Sequence, residues 1–135
     1  MFCGKNARMH DNPAPRWQRI AGIVLSVLPA AMLTMSGVMK IFASPEMVAQ
    51  SAKTGITAAV LLKLGVTEVA CVLLFLLPPT AVLGAILITA FMGGAVFAHV
   101  LHGDAFLLPV VLSVLAWAGL WLRDPRLRAL LPLRR

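Results

Sequence analysis

The chain is dominated by four long apolar stretches that polar segments separate. A helix needs about 20 predominantly apolar residues to cross a bilayer, and each stretch is close to that length. A soluble domain of 135 residues has too little polar chain to cover four such helices, whereas lipid solvates their apolar faces. The stretches cover about residues 20–42, 56–77, 80–101 and 105–122.

The composition agrees with a membrane protein. Hydrophobic residues make up 60% of the chain and charged residues 13%, whereas soluble domains are about 45–50% apolar and about 25% charged. The sequence therefore predicts an all-α polytopic membrane protein. We expect an antiparallel bundle of four transmembrane helices that forms one domain over residues 16–123.

Two short segments predict how the spans connect. Ser44-Pro45-Glu46 places an N-cap residue, a proline and an acidic residue in the order that begins a helix. It predicts a short interfacial helix over about residues 45–52, between the first and second spans. Pro78-Pro79 leaves almost no loop, so we expect the second and third spans to form a tight antiparallel hairpin.

Positive charge is concentrated at the two ends of the chain, which is the pattern of cytoplasmic segments in membrane proteins. Because four spans put both termini on one side, we expect the N- and C-termini to be cytoplasmic. Residues 1–15 are then a disordered basic tail and residues 124–135 a second basic tail. Anionic lipid headgroups are the expected partners of these tails, and nucleic acid is not. The basic residues are Lys5, Arg8, Arg16, Arg19, Arg123, Arg126, Arg128, Arg134 and Arg135.

Small residues recur every fourth position in the first and third spans. Such stripes let transmembrane helices approach closely, inside a bundle or between subunits. We therefore assign them to helix packing. The stripes are Gly22, Ser26, Ala30 and Thr34 in the first span, and Ala90, Gly94 and Ala98 in the third.

Ionisable residues within the spans are the candidate functional residues, because a charge at membrane depth is costly. Glu68 lies twelve residues past Ile56, about 18 Å deep at 1.5 Å per residue. Lys40 and His99 lie near the outer ends of their spans. Lys63 is a secondary candidate, since its long stem allows the ammonium to reach the membrane surface.

Depth arithmetic predicts that these residues do not form a tight cluster. Glu68 lies about 13–15 Å below Lys40 and His99 on straight helices. Lys63 is five residues from Glu68, about 140° around the helix, and so does not share its face. We therefore expect a polar column that opens outward rather than a tight triad. Direct pairing of Lys40 with Glu68 would need the first span to lie deeper, or the second to begin later, and whether Lys40, Glu68 and His99 share one pocket stays open.

The sequence lacks the residues that haem, zinc and dithiol sites require. Haem b in a helical bundle uses two opposing histidines, and only His99 lies within a span. A zinc site lacks ligands, so no metal is assigned. Cys3 and Cys71 form no CxxC motif, and no catalytic residue is assigned.

Three motifs resemble those of the DoxX-like membrane proteins. Gly37-Val38-Met39-Lys40 resembles the G-x-x-K element of that family, and Gly65-Val66-Thr67-Glu68 its G-x-x-E element. Gly94-Ala95, followed by Ala98-His99, resembles its third element. The elements have the family's order and spacing, and the similarity covers about residues 18–122.

The resemblance implies a four-helix integral membrane fold with Lys40, Glu68 and His99 at its polar positions. Better-known relatives are associated with thiosulfate:quinone oxidoreductase and with membrane oxidoreductase complexes that handle thiol and oxidative stress. It thus implies a bacterial inner-membrane protein that is an accessory or quinone-associated subunit of a redox system, not a stand-alone enzyme. A quinone is the candidate cofactor, and a membrane oxidoreductase or a second copy of the chain is the candidate partner.

Two other functions stay open. A membrane glutamate in a small four-span chain also resembles the small multidrug-resistance exporters, which would make the protein a proton-coupled transporter. Those exporters carry the glutamate in their first span, whereas Glu68 lies in the second. The small-residue stripes also suit a purely structural partner of another membrane protein.

Overall fold

A computed structural model describes residues 15–130, and most of this part of the chain is helical. The all-α prediction is confirmed. The predicted tail over residues 1–15 lies outside the described residues, apart from Pro15, as does the end of the second tail. The helices are α1 (Arg16–Ile41), α2 (Pro45–Ala52), α3 (Ala58–Leu76), α4 (Ala81–His102), α5 (Leu107–Arg123) and α6 (Pro125–Leu130), with a 3-10 turn at Pro78–Thr80.

The four long helices form an antiparallel ring. Helix α1 packs against α3 and α5, and α4 packs against the same two helices. Helices α1 and α4 therefore lie on one diagonal, and α3 and α5 on the other. We name the two ends of the ring by the chain: the terminal end is where α1 begins and α5 stops, and the distal end is where α1 stops and α5 begins.

Three of these helices are long and apolar enough to cross a membrane. They are α1, α3 and the segment Pro78–His102, which contains α4. Helix α5 is equally apolar but has 17 residues, about 26 Å at 1.5 Å per residue. The chain is thus a helical membrane protein, and three of the described helical segments meet the length of a span.

The apolar core fills the terminal half of the ring. Its largest fully buried side chains include Phe75, Ile88 and Leu120. Towards the distal end the core cluster stops at Leu33 on α1, Cys71 on α3, Met92 on α4 and Leu112 on α5. The contacts between these residues and the distal end are therefore not part of this core cluster.

The first two residues of the first small-residue stripe, Gly22 and Ser26, lie at the contact between α1 and α5. Gly22, Ser26 and Ala30 are buried, and Thr34 is half-buried. A Cβ added at Gly22 would lie 2.9 Å from the carbonyl oxygen of Gly119, and one added at Gly119 would lie 2.7 Å from the Ser26 nitrogen. The two backbones touch here because neither glycine has a side chain.

A polar arrangement compensates for the two prolines after α3. Pro78 and Pro79 have no N–H, so they cannot donate to Leu74 and Phe75, the carbonyls four residues before them. Thr80 Oγ1 donates to the Leu74 oxygen at 2.8 Å, and Arg123 Nη2 donates to the Phe75 oxygen at 2.9 Å. Both carbonyls freed by the prolines are thereby satisfied.

Helix α2 begins where the Ser-Pro-Glu signature predicts. The Ser44 hydroxyl caps the helix by accepting a hydrogen bond from the Met47 amide at 3.3 Å. Hydrogen bonds from its own backbone and from Ser44 lower the pKa of Glu46. None of its residues is buried, and it contacts the chain through α3.

Candidate functional site

Lys40 and Glu68 form a direct ion pair. Lys40 Nζ lies 2.7 Å from Glu68 Oε2. The Glu68 side chain is 3% exposed and that of Lys40 is 26% exposed. Direct pairing therefore occurs, and it requires the span offset that the sequence left open, with α1 deeper against α3 than equal span ends would place it.

Ser36 completes the cluster. Lys40 Nζ also donates to Ser36 Oγ at 2.5 Å, and Ser36 Oγ donates to Glu68 Oε2 at 3.4 Å. Ser36 lies four residues before Lys40 and so shares its helix face. Ser36 was not among the predicted site residues, although its spacing of four residues from Lys40 is a signal in the sequence. We call Ser36, Lys40 and Glu68 the polar cluster.

A contact between two glycines brings the polar cluster together. A Cβ added at Gly65 would lie 2.6 Å from the Gly37 oxygen and 3.0 Å from the Ile41 nitrogen. The last turn of α1 therefore lies beside the middle of α3, and α3 extends about seven residues, or about 10 Å, farther towards the distal end. Equal alignment of the two span ends, which the depth arithmetic assumed, does not hold.

Side-chain direction closes the remaining gap. Side chains on a helix lean towards its N-terminus. On α1 this direction is the terminal end, and on antiparallel α3 it is the distal end. The Lys40 side chain therefore leans towards the terminal end and Ser36, and the Glu68 side chain leans towards the distal end. The two side chains meet although their Cα atoms differ in depth.

The ion pair explains how a carboxylate is kept inside the bundle. An isolated charge at this depth is costly, and a close opposite charge offsets part of that cost. Glu68 Oε2 accepts from both Lys40 and Ser36. Glu68 Oε1 accepts no hydrogen bond from any described residue, so one oxygen of the pair keeps its acceptor capacity.

His99 does not join the polar cluster. It is half-buried on α4, across the diagonal from α1. Gly84 of α4 packs against Phe75 of α3, so these two residues lie at the same depth. His99 lies fifteen residues from Gly84 towards the distal end, whereas Glu68 lies seven residues from Phe75 in the same direction. The difference of eight residues is about 12 Å. Among residues 15–130 no hydrogen bond or ion pair joins the His99 ring to Lys40 or Glu68.

The remaining predicted residues lie on the outside of the ring or at its edge. Lys63 is exposed on α3. Ala90 and Gly94 are exposed on α4, and Ala98 is half-buried. A Cβ added at Gly94 would meet no atom of the described helices within 4 Å. The second small-residue stripe is thus not used for close packing between the described helices.

The described residues offer no metal site of the usual kind. They contain no group of three or more His, Cys, Asp or Glu side chains placed to hold an ion. Cys71 is buried one helical turn from Glu68 and is a free thiol. The chemistry available at the polar cluster is therefore proton and hydrogen-bond exchange by an ammonium, a hydroxyl and a carboxylate.

Comparison with known proteins identifies the family. The model of the DoxX-like family matches residues 24–119, which is most of the chain and includes Lys40, Glu68 and His99. No curated protein and no solved structure is detectably similar to the chain. The chain therefore belongs to the DoxX-like family.

Proposed function

We propose that this DoxX-like membrane protein is a quinone-associated accessory subunit of a bacterial inner-membrane redox system. The observation that carries the proposal is the ion pair between Lys40 and Glu68 at the edge of the apolar core. A quinone combines a long apolar tail with a ring that bears polar oxygens. A polar cluster that opens into an apolar bundle offers such a ring hydrogen-bonding partners, while the bilayer solvates the tail.

The hydrogen-bond donors of the polar cluster suit the oxygens of a quinone ring. An ammonium has three N–H donors, and Lys40 uses two of them for Ser36 and Glu68. The third is available to an oxygen of the ring. Quinone chemistry consumes or releases protons, and a carboxylate held next to an ammonium is suited to exchange them. The other redox centre would come from a partner oxidoreductase.

The proposed topology has four spans with both termini in the cytoplasm. Arg16 and Arg19 lie where α1 begins, and Arg123 and Arg126 where α5 ends. All four lie at the terminal end, as the positive-inside rule requires of a cytoplasmic face. Helix α5 spans with the help of the flanking residues, since its helix alone is about 26 Å long.

Quinone titration of the purified protein in lipid nanodiscs tests the proposal. The probe is a short-chain benzoquinone offered in both its oxidised and its reduced form. We expect the wild type to bind at least one form, and Lys40→Met to weaken that binding at least tenfold. Lys63→Met removes an exposed lysine from α3 and serves as the matched control, which should bind like the wild type. The proposal fails if the wild type binds neither form, or if Lys40→Met binds as well as the control.

Partner identity is tested separately. Purification of the tagged protein in mild detergent, followed by mass spectrometry, should recover a membrane oxidoreductase. Recovery of the chain alone from cells that grow under oxidative stress would count against the accessory role. Orientation is tested by labelling single cysteines placed in a Cys3→Ser/Cys71→Ala background, where Gly103→Cys should be labelled from outside the cell.

A proton-coupled transporter is the second function to consider. The polar cluster weighs against it, because a cationic substrate would first have to displace Lys40 from Glu68. Uptake of a cationic dye into proteoliposomes that carry a proton gradient tests this function. Uptake that Glu68→Leu abolishes would favour transport over quinone binding.

A further inference from the structure

The two residues of the ion pair leave one hydrogen-bond donor and one acceptor side by side. Glu68 Oε2 is occupied by Lys40 and Ser36, whereas Glu68 Oε1 accepts nothing from the described residues. Lys40 Nζ has a third N–H beyond the two that it donates to Ser36 and Glu68. Because both oxygens belong to one carboxylate, the spare acceptor lies close to the Lys40 ammonium.

A hydroxyl group can use both the spare acceptor and the spare donor through its single oxygen atom. A hydroxyl oxygen donates one hydrogen bond and accepts another, so it can donate to Glu68 Oε1 while it accepts from Lys40 Nζ. A carbonyl oxygen only accepts. Placed at the same point, it would set its lone pairs against those of the carboxylate, where little water is present to weaken the repulsion.

The surroundings favour an apolar molecule that carries this hydroxyl. Glu68 is almost fully buried, and Lys40 keeps about a quarter of its side chain exposed (26%). The contact between α1 and α3 beside the cluster is lined by aliphatic side chains of Val69 and Ile41. A ligand therefore reaches the ion pair past the exposed side of Lys40, and most of its body remains in apolar surroundings.

We infer that the Lys40–Glu68 pair selects a hydroxyl group on an apolar molecule. In terms of the proposed function, on which this step rests, the site prefers the reduced hydroquinone to the quinone. Tighter binding of the reduced form raises the midpoint potential of the bound probe. A tenfold preference corresponds to about 30 mV for this two-electron couple.

A pair of redox-inactive probes tests the hydroxyl preference without any quinone. A 4-alkylphenol and the matching 4-alkylanisole differ by one methyl group on the oxygen, so only the phenol donates a hydrogen bond. We expect the wild type in nanodiscs to bind the phenol at least tenfold more tightly than the anisole. Equal binding of the two probes would overturn the inference, and no variant is needed for this comparison.

The variant Glu68→Gln gives a sharper result than loss of binding. Lys40 and Ser36 donate to the side-chain oxygen of residue 68, so the glutamine amide would turn its oxygen towards them and its NH2 group towards the ligand. The spare acceptor becomes a donor. We expect the preference to invert, with the quinone binding more tightly than the hydroquinone. Lys63→Gln makes the matching change at an exposed position of α3 and should keep the wild-type preference.

The outcomes separate this inference from the proposed function. If the quinone binds as tightly as the hydroquinone, and Lys40→Met weakens both, the proposed function stands and the hydroxyl preference is overturned. If the phenol is preferred to the anisole but neither quinone form binds, the hydroxyl site stands and the quinone role fails. If no probe binds, both fail.

Discussion

Two cations from different helices contact α3, and they do so by different means. Lys40 lies in the last turn of α1 and Arg123 in the last turn of α5, and both reach α3. Lys40 meets the carboxylate of Glu68. Arg123 meets the Phe75 carbonyl oxygen, and its guanidinium carbon lies 4.9 Å from the centroid of the Phe75 ring.

The comparison distinguishes a cation that stabilises the fold from one that is placed to bind a ligand. Arg123 satisfies a backbone carbonyl that a proline has deprived of its donor, and it lies where the apolar core is complete. Lys40 lies where the core stops, and one oxygen of its partner accepts no hydrogen bond from residues 15–130. A cation that completes a set of hydrogen bonds stabilises the fold, whereas one that leaves capacity unused is placed to bind.

The largest effect is expected from removing one charge of the distal pair. Lys40→Met leaves Glu68 buried without its cation, and removing one partner of a buried ion pair costs about 3–5 kcal/mol. Because Lys40 is partly exposed, we expect the free energy of unfolding to fall by about 3 kcal/mol. Steric trapping in bicelles measures it.

The double variant Lys40→Met/Glu68→Leu removes both charges and is the control. We expect it to recover most of the lost stability, because two apolar side chains replace the pair. A double variant as unstable as the single one would show that Lys40 acts through something other than Glu68.

Arg123→Leu tests the terminal cation. It leaves the Phe75 carbonyl without a donor and removes the cation that lies over the aromatic ring of Phe75. We therefore expect the free energy of unfolding to fall by about 2 kcal/mol. Arg126→Leu changes an exposed arginine nearby and should leave stability unchanged. No second substitution restores this loss, in contrast to the distal pair. Quinone binding should survive Arg123→Leu, and its loss would break the division between the two ends.

Thr80→Val removes the hydroxyl that donates to the Leu74 oxygen while keeping the size of the side chain. The expected loss is about 1 kcal/mol, which is the contribution of one hydrogen bond. Thr80→Ser keeps the hydroxyl and should be close to the wild type. If Thr80→Val were neutral, Arg123 alone would account for the compensation after the two prolines.

The smallest effect concerns the open distal side of α4. Gly94→Ala adds a methyl group where no atom of the described residues lies within 4 Å, so the gain in helix preference should stabilise the protein by about 0.5 kcal/mol. Gly65→Ala should have the opposite sign, because its Cβ would approach the Gly37 oxygen. If Gly94→Ala instead destabilises the protein in bilayers, a second protein or a second copy covers this face.

Sequence reasoning predicted the class of fold because length and apolar composition decide it. Helix α2 was also predictable, since Ser44-Pro45-Glu46 is a local signal. The stagger of α1 against α3 was not, because it depends on where Gly37 and Gly65 meet. The motif comparison named Lys40, Glu68 and His99 together, yet only the first two meet. Helix α4, which carries His99, packs against α3 but lies diagonally opposite α1.

The two hydrogen bonds after α3 also imply an order of events during synthesis. Thr80 follows Leu74 by six residues and can satisfy that carbonyl as soon as the turn leaves the ribosome. The Phe75 carbonyl has to wait for Arg123, which is 48 residues later. Until the last span is inserted, the helical hairpin carries an unsatisfied acceptor at its cytoplasmic edge in the proposed topology, where water can reach it. Arrival of Arg123 replaces that water and joins the last span to the second.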